Sequence, residues 1–262
     1  MSKYLNVIPS EKREDNIMRN FKLTIEYDGG RYQGLQRLGK DEDKNTIENK
    51  LVEVLETMTK EKVELNFGLR TEVGVHAYHQ IANFKSNTKM KPYEIKHYMN
   101  RYLPQDIVII EVGEVEERFH ASLNAKSKVY EYHIIQGEHP SAFSRKYAYY
   151  AFGTLDVKAM KKASKDLLGK HDFKNFSTAK KSKSTEKEIK LIEIYADDRE
   201  VQITMEANDF LHNMARMIIG TLIEIGKGNL RVDIIPDILA GKELASSPAE
   251  PQGLYLVEVK YN

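Results

Sequence analysis

Apolar residues in this chain recur at every second position in some stretches and at every third or fourth position in others. These alternating strand and helix patterns constrain the fold more than any other feature. In residues 21–29 apolar and polar side chains alternate and the run ends at Asp28 and two glycines. That pattern predicts a half-buried strand leading into a tight loop. Asn45, with Glu48 three residues later, is typical of a helix start. One face of the following helix is apolar: Ile47, Leu51, Val54, Leu55 and Met58.

The same two patterns continue to the end of the chain. Further strands are predicted over residues 63–67, 75–84, 106–115, 127–135, 189–195, 201–207 and 253–261, and further helices over residues 92–103, 156–168, 210–226 and 232–240. Several strands are adjacent in order, so we expect an α+β fold with a mostly antiparallel sheet and helices on one face. Residues 21–115 and 116–262 have similar content, which suggests two pseudo-duplicated halves. Residues 1–20 are expected to form an N-terminal tail, a candidate for disorder.

The composition excludes several classes of chemistry. Of the 262 residues 41% are hydrophobic and 30% charged, as in globular proteins. No cysteine occurs, which excludes disulfides and thiol nucleophiles and is consistent with a reducing compartment. No apolar run approaches about eighteen residues, so we expect a soluble, cytoplasmic protein that makes no membrane contact. The net charge of +1 is uninformative, because phosphate contacts need only a local basic cluster.

Common metal and cofactor patterns do not fit. His76 and His79 stand three apart in a predicted strand, so their imidazoles point to opposite faces and cannot share a metal. Residues 220–227 superficially resemble a phosphate loop, but five residues rather than four separate the glycines, and Gly228 stands where Ser or Thr is required. No dinucleotide-binding glycine pattern follows a predicted strand. We therefore expect neither a metal nor a cofactor.

Residues 68–77 (GLRTEVGVHA) are the strongest candidate for an active site. They place Glu72 two residues after Arg70, in a glycine-bounded segment between two predicted strands. The arginine can keep the carboxylate ionised by Coulomb attraction and hydrogen bonding, while the glycines permit close approach of the backbone. An exposed ion pair on a loop would look the same locally and would contribute only about 0–1 kcal/mol. The segment by itself leaves both interpretations open.

Five ordered segments resemble the motifs of the tRNA pseudouridine synthase A (TruA) family. They are residues 27–36, 68–77, 118–132, 210–222 and 253–261. In the second segment the family usually reads GRTDAGVHA, and its nucleophilic aspartate corresponds to Glu72. Leu35 replaces a family tryptophan, while Leu69 and Val73 replace a glycine and an alanine. Five matches in order, spread over most of the chain, are hard to obtain by chance.

The resemblance implies a tRNA pseudouridine synthase, an isomerase that converts uridine to pseudouridine at positions 38 to 40 of the anticodon stem-loop. It implies that Glu72 acts as nucleophile or base at the ribose and that Arg70 and Arg216 position and ionise it. Arg216 lies on an otherwise apolar predicted helix, so its charge needs a partner, either a structural carboxylate or Glu72. Tyr130 would hold the flipped base by stacking. A homodimer binding tRNA across both subunits is also implied.

Lysines supply candidate contacts to RNA phosphates. Residues 180–187 are lysine-rich, and Lys126 and Lys128 could act with them as point charges. Lys187 stands where the family commonly has an arginine, which can bind two oxygens at once. A solvated surface loop is the alternative interpretation.

Two hypotheses about activity differ in how the site accommodates the extra methylene of Glu72. It displaces the carboxylate by roughly 1 Å, and misplacement of that order can cost about 10²-fold in rate. Leu69 and Val73 either reshape the loop around the longer acid or record a relaxed site. An active synthase is favoured because Arg70, Tyr130 and Arg216 are all present. The alternative is a catalytically impaired paralogue that binds structured RNA without isomerising it, and a similarity limited to the fold is a third reading.

Overall fold

The computed structural model describes residues 18–36, 45–179 and 184–262. Its strands are β1 Arg19–Tyr27, β2 Asn66–Phe67, β3 His76–Ser86, β4 Ile107–Val115, β5 Ser127–Gly137, β6 Tyr149–Phe152, β7 Gly169–Asp172, β8 Glu186–Asp197, β9 Glu200–Ala207 and β10 Leu254–Lys260. Its helices are α1 Ile47–Thr59, α2 Pro92–Tyr102, α3 Val157–Ser164, α4 Met214–Gly226 and α5 Ile235–Leu239. Within these ranges no helix is both long and apolar enough to cross a membrane.

All ten strands belong to a single sheet. The main strand order is β4-β1-β3-β10-β5-β9-β8-β7, with β2 added to β3 and β6 added to β5. Neighbours pair antiparallel except β3 with β10 and β5 with β6. The expected α+β fold with a mostly antiparallel sheet is confirmed. Because β10 lies between β3 and β5, the last strand of the chain joins strands from the two predicted halves; the division at residue 115 stays a prediction.

Local sequence explains why the first elements form where they do. Strand β1 alternates as predicted and buries Phe21, Leu23 and Ile25 completely. Helix α1 begins where the Thr46 hydroxyl accepts a hydrogen bond from the Asn49 N–H at 3.2 Å, so the cap is one residue later than predicted. Residues 1–17 of the predicted tail lie outside the described residues. The end of that tail, residues 19 and 20, belongs to β1.

Several predicted boundaries were wrong. The strand predicted over residues 63–67 is reduced to the two residues of β2. The helix predicted over residues 156–168 is α3, capped by Asp156 and followed by a 3₁₀ turn, and the one predicted over residues 232–240 is the shorter α5. Strands β6 and β7 were missed because runs of four residues are too short to show alternation.

The most consequential difference concerns α4. Apolar spacing predicts a helix from residue 210, but the helix begins at Met214. The residue before it, Asn213, has φ of 61° and ψ of 4°, a left-handed conformation that a continuous right-handed helix excludes. The four residues 210–213 therefore form a separate segment that ends at the N-terminus of α4.

The register of the sheet brings the two predicted halves of the site together. One row of directly paired residues crosses five strands: Tyr27, Ala77, Leu256, Tyr130 and Met205. Paired residues point to the same face of a sheet. Strand β3 starts just after the Glu72 loop, so this loop and Tyr130 are separated only by the width of β10.

Candidate active site

The loop that carries Glu72 is held by hydrogen bonds on both sides. The Thr71 carbonyl accepts from the Leu35 N–H at 3.3 Å, and the Thr71 hydroxyl lies 2.7 Å from the Tyr27 hydroxyl. The Val75 N–H donates to the Glu72 carbonyl at 3.2 Å, closing a turn in which Gly74 has φ of 79°. Glycine adopts that angle without steric cost, and the turn fixes the direction in which Glu72 leaves the backbone.

A cleft of about 940 Å³ opens beside this loop and is lined by residues from both halves of the chain. Four residues that the sequence predicts as site residues line it together: Arg70, Glu72, Tyr130 and Arg216. The loop between β2 and β3 carries the first two, β5 the third and α4 the fourth. A concave site that gathers polar groups from distant parts of a chain is the usual form of a binding or catalytic site.

The Glu72 carboxylate points at the N-terminus of α4. Its Oε1 accepts a hydrogen bond from the backbone N–H of Asn213 at 2.9 Å. Helix N-termini carry unsatisfied N–H groups and a partial positive charge, so they stabilise a carboxylate. Neither Arg70 nor Arg216 lies within 4.0 Å of it as an ion-pair partner among the residues that are described. The direct arginine contacts expected from the sequence are therefore not formed among the described residues, and a backbone donor takes their place.

The two arginines have different surroundings. Arg216 donates from Nε to the Ala249 carbonyl at 2.7 Å and from Nη1 to the Asn213 Oδ1 at 3.0 Å. Its charge is therefore compensated by neutral oxygens, and within the described part of the chain it connects to Glu72 only through Asn213. Arg70 is exposed and forms no hydrogen bond or ion pair with any other described residue. Its guanidinium is available to a ligand in the cleft.

Tyr130 presents a neutral phenol to the cleft. The residue is 3% exposed, and its ring meets the Phe210 ring edge-on at 5.0 Å between centroids. Burial, reinforced by the negative charges of Glu72 and Asp209, raises the pKa of Tyr130 well above its ordinary value of 10. Its hydroxyl bonds to no neighbour within the described ranges. It can therefore donate to or accept from a bound base.

Comparison with known proteins places the chain in a family. A sequence model described as tRNA pseudouridine synthase matches residues 163–262. A protein named tRNA pseudouridine synthase A 2 from Bacillus anthracis is 46% identical over 247 residues, covering 93% of this chain and 100% of that protein. The chain belongs to the tRNA pseudouridine synthase A family.

More distant members of the tRNA pseudouridine synthase A family match over the same length. Proteins with that name from Bacillus sp. (strain KSM-64) and Acetivibrio thermocellus are 42% and 40% identical, each covering 93% of this chain and 100% of the relative. Among solved structures, a Cbf5-Nop10-Gar1 complex matches 90% of this chain and 48% of its own at 10% identity. Its TM-score of 0.36 is too low to inform the fold.

The three lysines that were predicted to contact RNA lie in different environments in this member of the tRNA pseudouridine synthase A family. Lys126 is exposed. Lys128 is only 5% exposed and donates to the Asp209 Oδ1 at 3.1 Å, while Lys187 donates to the Asp209 Oδ2 at 3.1 Å. Asp209 already compensates both ammonium charges; their role in RNA binding stays a prediction. Residues 180–183 of the lysine-rich loop lie outside the described residues.

Two residues that line the cleft were not singled out from the sequence. Asp209 holds Lys128 and Lys187 at one end of the cleft, and its charge acts on Tyr130. Asn213 occupies the position just before α4 without a side-chain capping hydrogen bond, and its backbone N–H donates to Glu72. Asparagine tolerates left-handed geometry, so its position before an apolar helical run was a usable signal. Asp209 offered no comparable signal, because its partners are distant in sequence.

Proposed function

We propose that Glu72 is the catalytic carboxylate of a tRNA pseudouridine synthase that acts on the anticodon stem-loop, at positions 38 to 40. Membership of the family supports tRNA pseudouridylation as the activity. The observation that carries the assignment of the site is that Glu72, anchored at a helix N-terminus, shares one cleft with Tyr130. The target positions rest on resemblance to the family.

The reaction needs few groups from the protein. The bond between uridine N1 and the ribose breaks, the base turns, and a bond forms between the ribose and C5; N1 gains a proton and C5 loses one. An ionised carboxylate beside the ribose can act as nucleophile or as base. The Asn213 N–H, at the start of α4, holds the Glu72 carboxylate in place by a hydrogen bond. No redox step occurs.

The target nucleotide would be flipped into the cleft, because the ribose and base edges that react are otherwise stacked. The ring of Tyr130 is held edge-on by Phe210, so its position is fixed before the base arrives. The phenol hydroxyl can bond to a uracil oxygen or nitrogen, whereas stacking of a base on this ring, which is 3% exposed, requires Phe210 to move aside. Arg70, exposed and without a partner among the described residues, would contact the RNA rather than Glu72.

The test is pseudouridine mapping of tRNA incubated with the wild type, Glu72→Ala and Glu72→Gln. We expect product at positions 38 to 40 with the wild type and none with either variant, while tRNA affinity stays within a few fold. Glutamine is the matched control, because its amide oxygen can still accept from the Asn213 N–H without the charge. If no protein forms product but all bind tRNA, the protein binds structured RNA without isomerising it.

Two further properties are proposed from resemblance to the family alone. The protein would be a homodimer that binds tRNA across both subunits, and it would work in the cytoplasm, where tRNA is modified. Light scattering coupled to size-exclusion chromatography, with and without tRNA, tests the first. A monomer in both states would exclude binding across two subunits.

A further inference from the structure

Asn213 has an unusual backbone for a residue in a cleft. Among the described residues three that are not glycine have positive φ: Lys60, Asp198 and Asn213. Lys60 ends α1, and Asp198 lies in the turn between β8 and β9, where such angles are common. Asn213 instead precedes α4 and lines the cleft. Asparagine tolerates this conformation better than most residues, and the contacts of its side chain hold it there.

Both ends of the Asn213 side chain are bound. Its Oδ1 accepts from the Arg216 Nη1 at 3.0 Å, and its Nδ2 donates to the Thr178 hydroxyl at 2.8 Å. Thr178 is itself tied to the chain before α4, because its N–H donates to the His212 carbonyl at 3.2 Å. Arg216 is held in turn by the Ala249 carbonyl. The side chain therefore bridges α4 to the segment after β7, and this bridge orients the Asn213 backbone.

The orientation matters because of what the Asn213 N–H does. In the left-handed conformation this N–H is directed at the Glu72 Oε1, 2.9 Å away. A glutamate has one more rotatable bond than an aspartate, so its carboxylate can lie in more places relative to the backbone. A fixed donor at the far side of the cleft selects among those positions. Arg216, which makes no ion pair with Glu72, reaches the carboxylate through this asparagine.

We infer that Asn213 is a positioning residue that fixes the place of the Glu72 carboxylate. The anchored guanidinium of Arg216 holds the Asn213 side chain, and the Asn213 backbone N–H holds the acid. This inference rests on the proposed role of Glu72. A single left-handed residue thus selects one rotamer of Glu72. The arrangement also accounts for how an acid one carbon longer than the family's aspartate can be held at a defined place.

The first experiment compares Asn213→Gly with Asn213→Ala. Glycine keeps the left-handed backbone and the N–H but removes the bridge, whereas alanine removes the bridge and strains the backbone. We expect Asn213→Gly to lower kcat about 10-fold and Asn213→Ala up to about 100-fold, because misplacement of about 1 Å has costs of that order. The dissociation constant for tRNA should stay within about threefold, since the proposed contacts to RNA are made by Arg70, Tyr130 and the lysines rather than by Asn213.

Lys60→Gly is the matched control, because it replaces another left-handed residue at an exposed site outside the cleft. It should leave kcat unchanged. A purely structural role for Asn213 predicts that kcat falls only in step with tRNA affinity and melting temperature, and that result would overturn the inference. So would a kcat within threefold of the wild type in both Asn213 variants.

A second measurement is independent of activity. In protein labelled with ¹⁵N-asparagine, the Asn213 amide signal is identified by its loss in Asn213→Gly. Glu72→Ala removes the acceptor, so the amide proton should move upfield. An unchanged signal means that the contact is absent in solution, and the inference then fails whatever the activity. A shifted amide with an inactive wild type would instead reject the proposed function and leave the contact standing.

Discussion

Lys128 lies almost entirely within the protein, yet its ammonium group has a carboxylate partner, Asp209, 3.1 Å away at one end of the cleft. The same ammonium group donates to the Asn208 carbonyl at 3.1 Å. The other oxygen of Asp209 accepts from Lys187. A charge inside a protein is stable only when it is paired and hydrogen-bonded, so this cluster connects β5 and β8 to the segment that carries Phe210.

Asp209→Asn should destabilise the protein because it leaves the Lys128 charge without its counter-charge. We expect the free energy of unfolding in urea to fall by about 1–3 kcal/mol, the usual cost of leaving a buried polar group without its partner. Lys187→Met should cost less, since Lys187 is nearer to solvent. Adding Lys128→Met to Asp209→Asn should recover part of the loss. Unchanged stability in Asp209→Asn would show that the cluster does not hold the fold.

The same cluster should give stability that depends on pH. Burial alone would raise the pKa of Asp209, but the charges and hydrogen bonds of Lys128 and Lys187 outweigh it, and the net shift is below the ordinary value of 3.8. A pKa lowered by folding adds stability that is complete above the unfolded-state pKa and is lost as the pH falls through the folded-state pKa. The stability difference between wild type and Asp209→Asn should therefore be constant above about pH 5 and shrink below about pH 4. A difference that grows on acidification contradicts this assignment.

Tyr130 should contribute through its ring more than through ionisation. Loss of stacking costs about 1–3 kcal/mol per base, so Tyr130→Leu should lower kcat/KM by roughly 5- to 150-fold. Tyr130→Phe keeps the ring and should lose less. Because the pKa of Tyr130 is raised well above 10, wild type and Tyr130→Phe should show parallel kcat profiles between about pH 7 and pH 10. An alkaline decline present only in the wild type would show that the phenol ionises in that range.

Sequence patterns predicted the helices and strands whose positions depend on nearby residues alone. Strand β1 and helices α1 and α2 follow from alternation, amphipathic spacing and capping, and each lies within two residues of its predicted place. Short strands such as β6 do not, because they depend on pairing with β5 rather than on their own sequence. In the sheet, β10 lies between β3 and β5, and the spacing of residues along the chain does not predict this arrangement.

The candidate site divides in the same way. Residue type and motif order indicated Arg70, Glu72, Tyr130 and Arg216, and all of them line one cleft. Their partners could not be read from the sequence. The contact between Glu72 and Asn213 joins residues 141 positions apart, and it depends on a backbone angle that tertiary contacts impose. The pairing of Lys128 with Asp209, 81 positions apart, likewise follows from the sheet.

Glu72→Asp gives a direct test of whether the length of this acid is matched to its site. The shorter side chain withdraws the carboxylate by roughly 1 Å from the Asn213 N–H, and a loss of about 10- to 100-fold in kcat is expected. Binding of tRNA should be unchanged, as measured by filter retention. The effect of Asn213→Gly should shrink in this background, because the contact it disturbs is already weakened. If Glu72→Asp instead raises kcat, the native site is poorly adapted to glutamate, and an impaired RNA-binding paralogue becomes the better description.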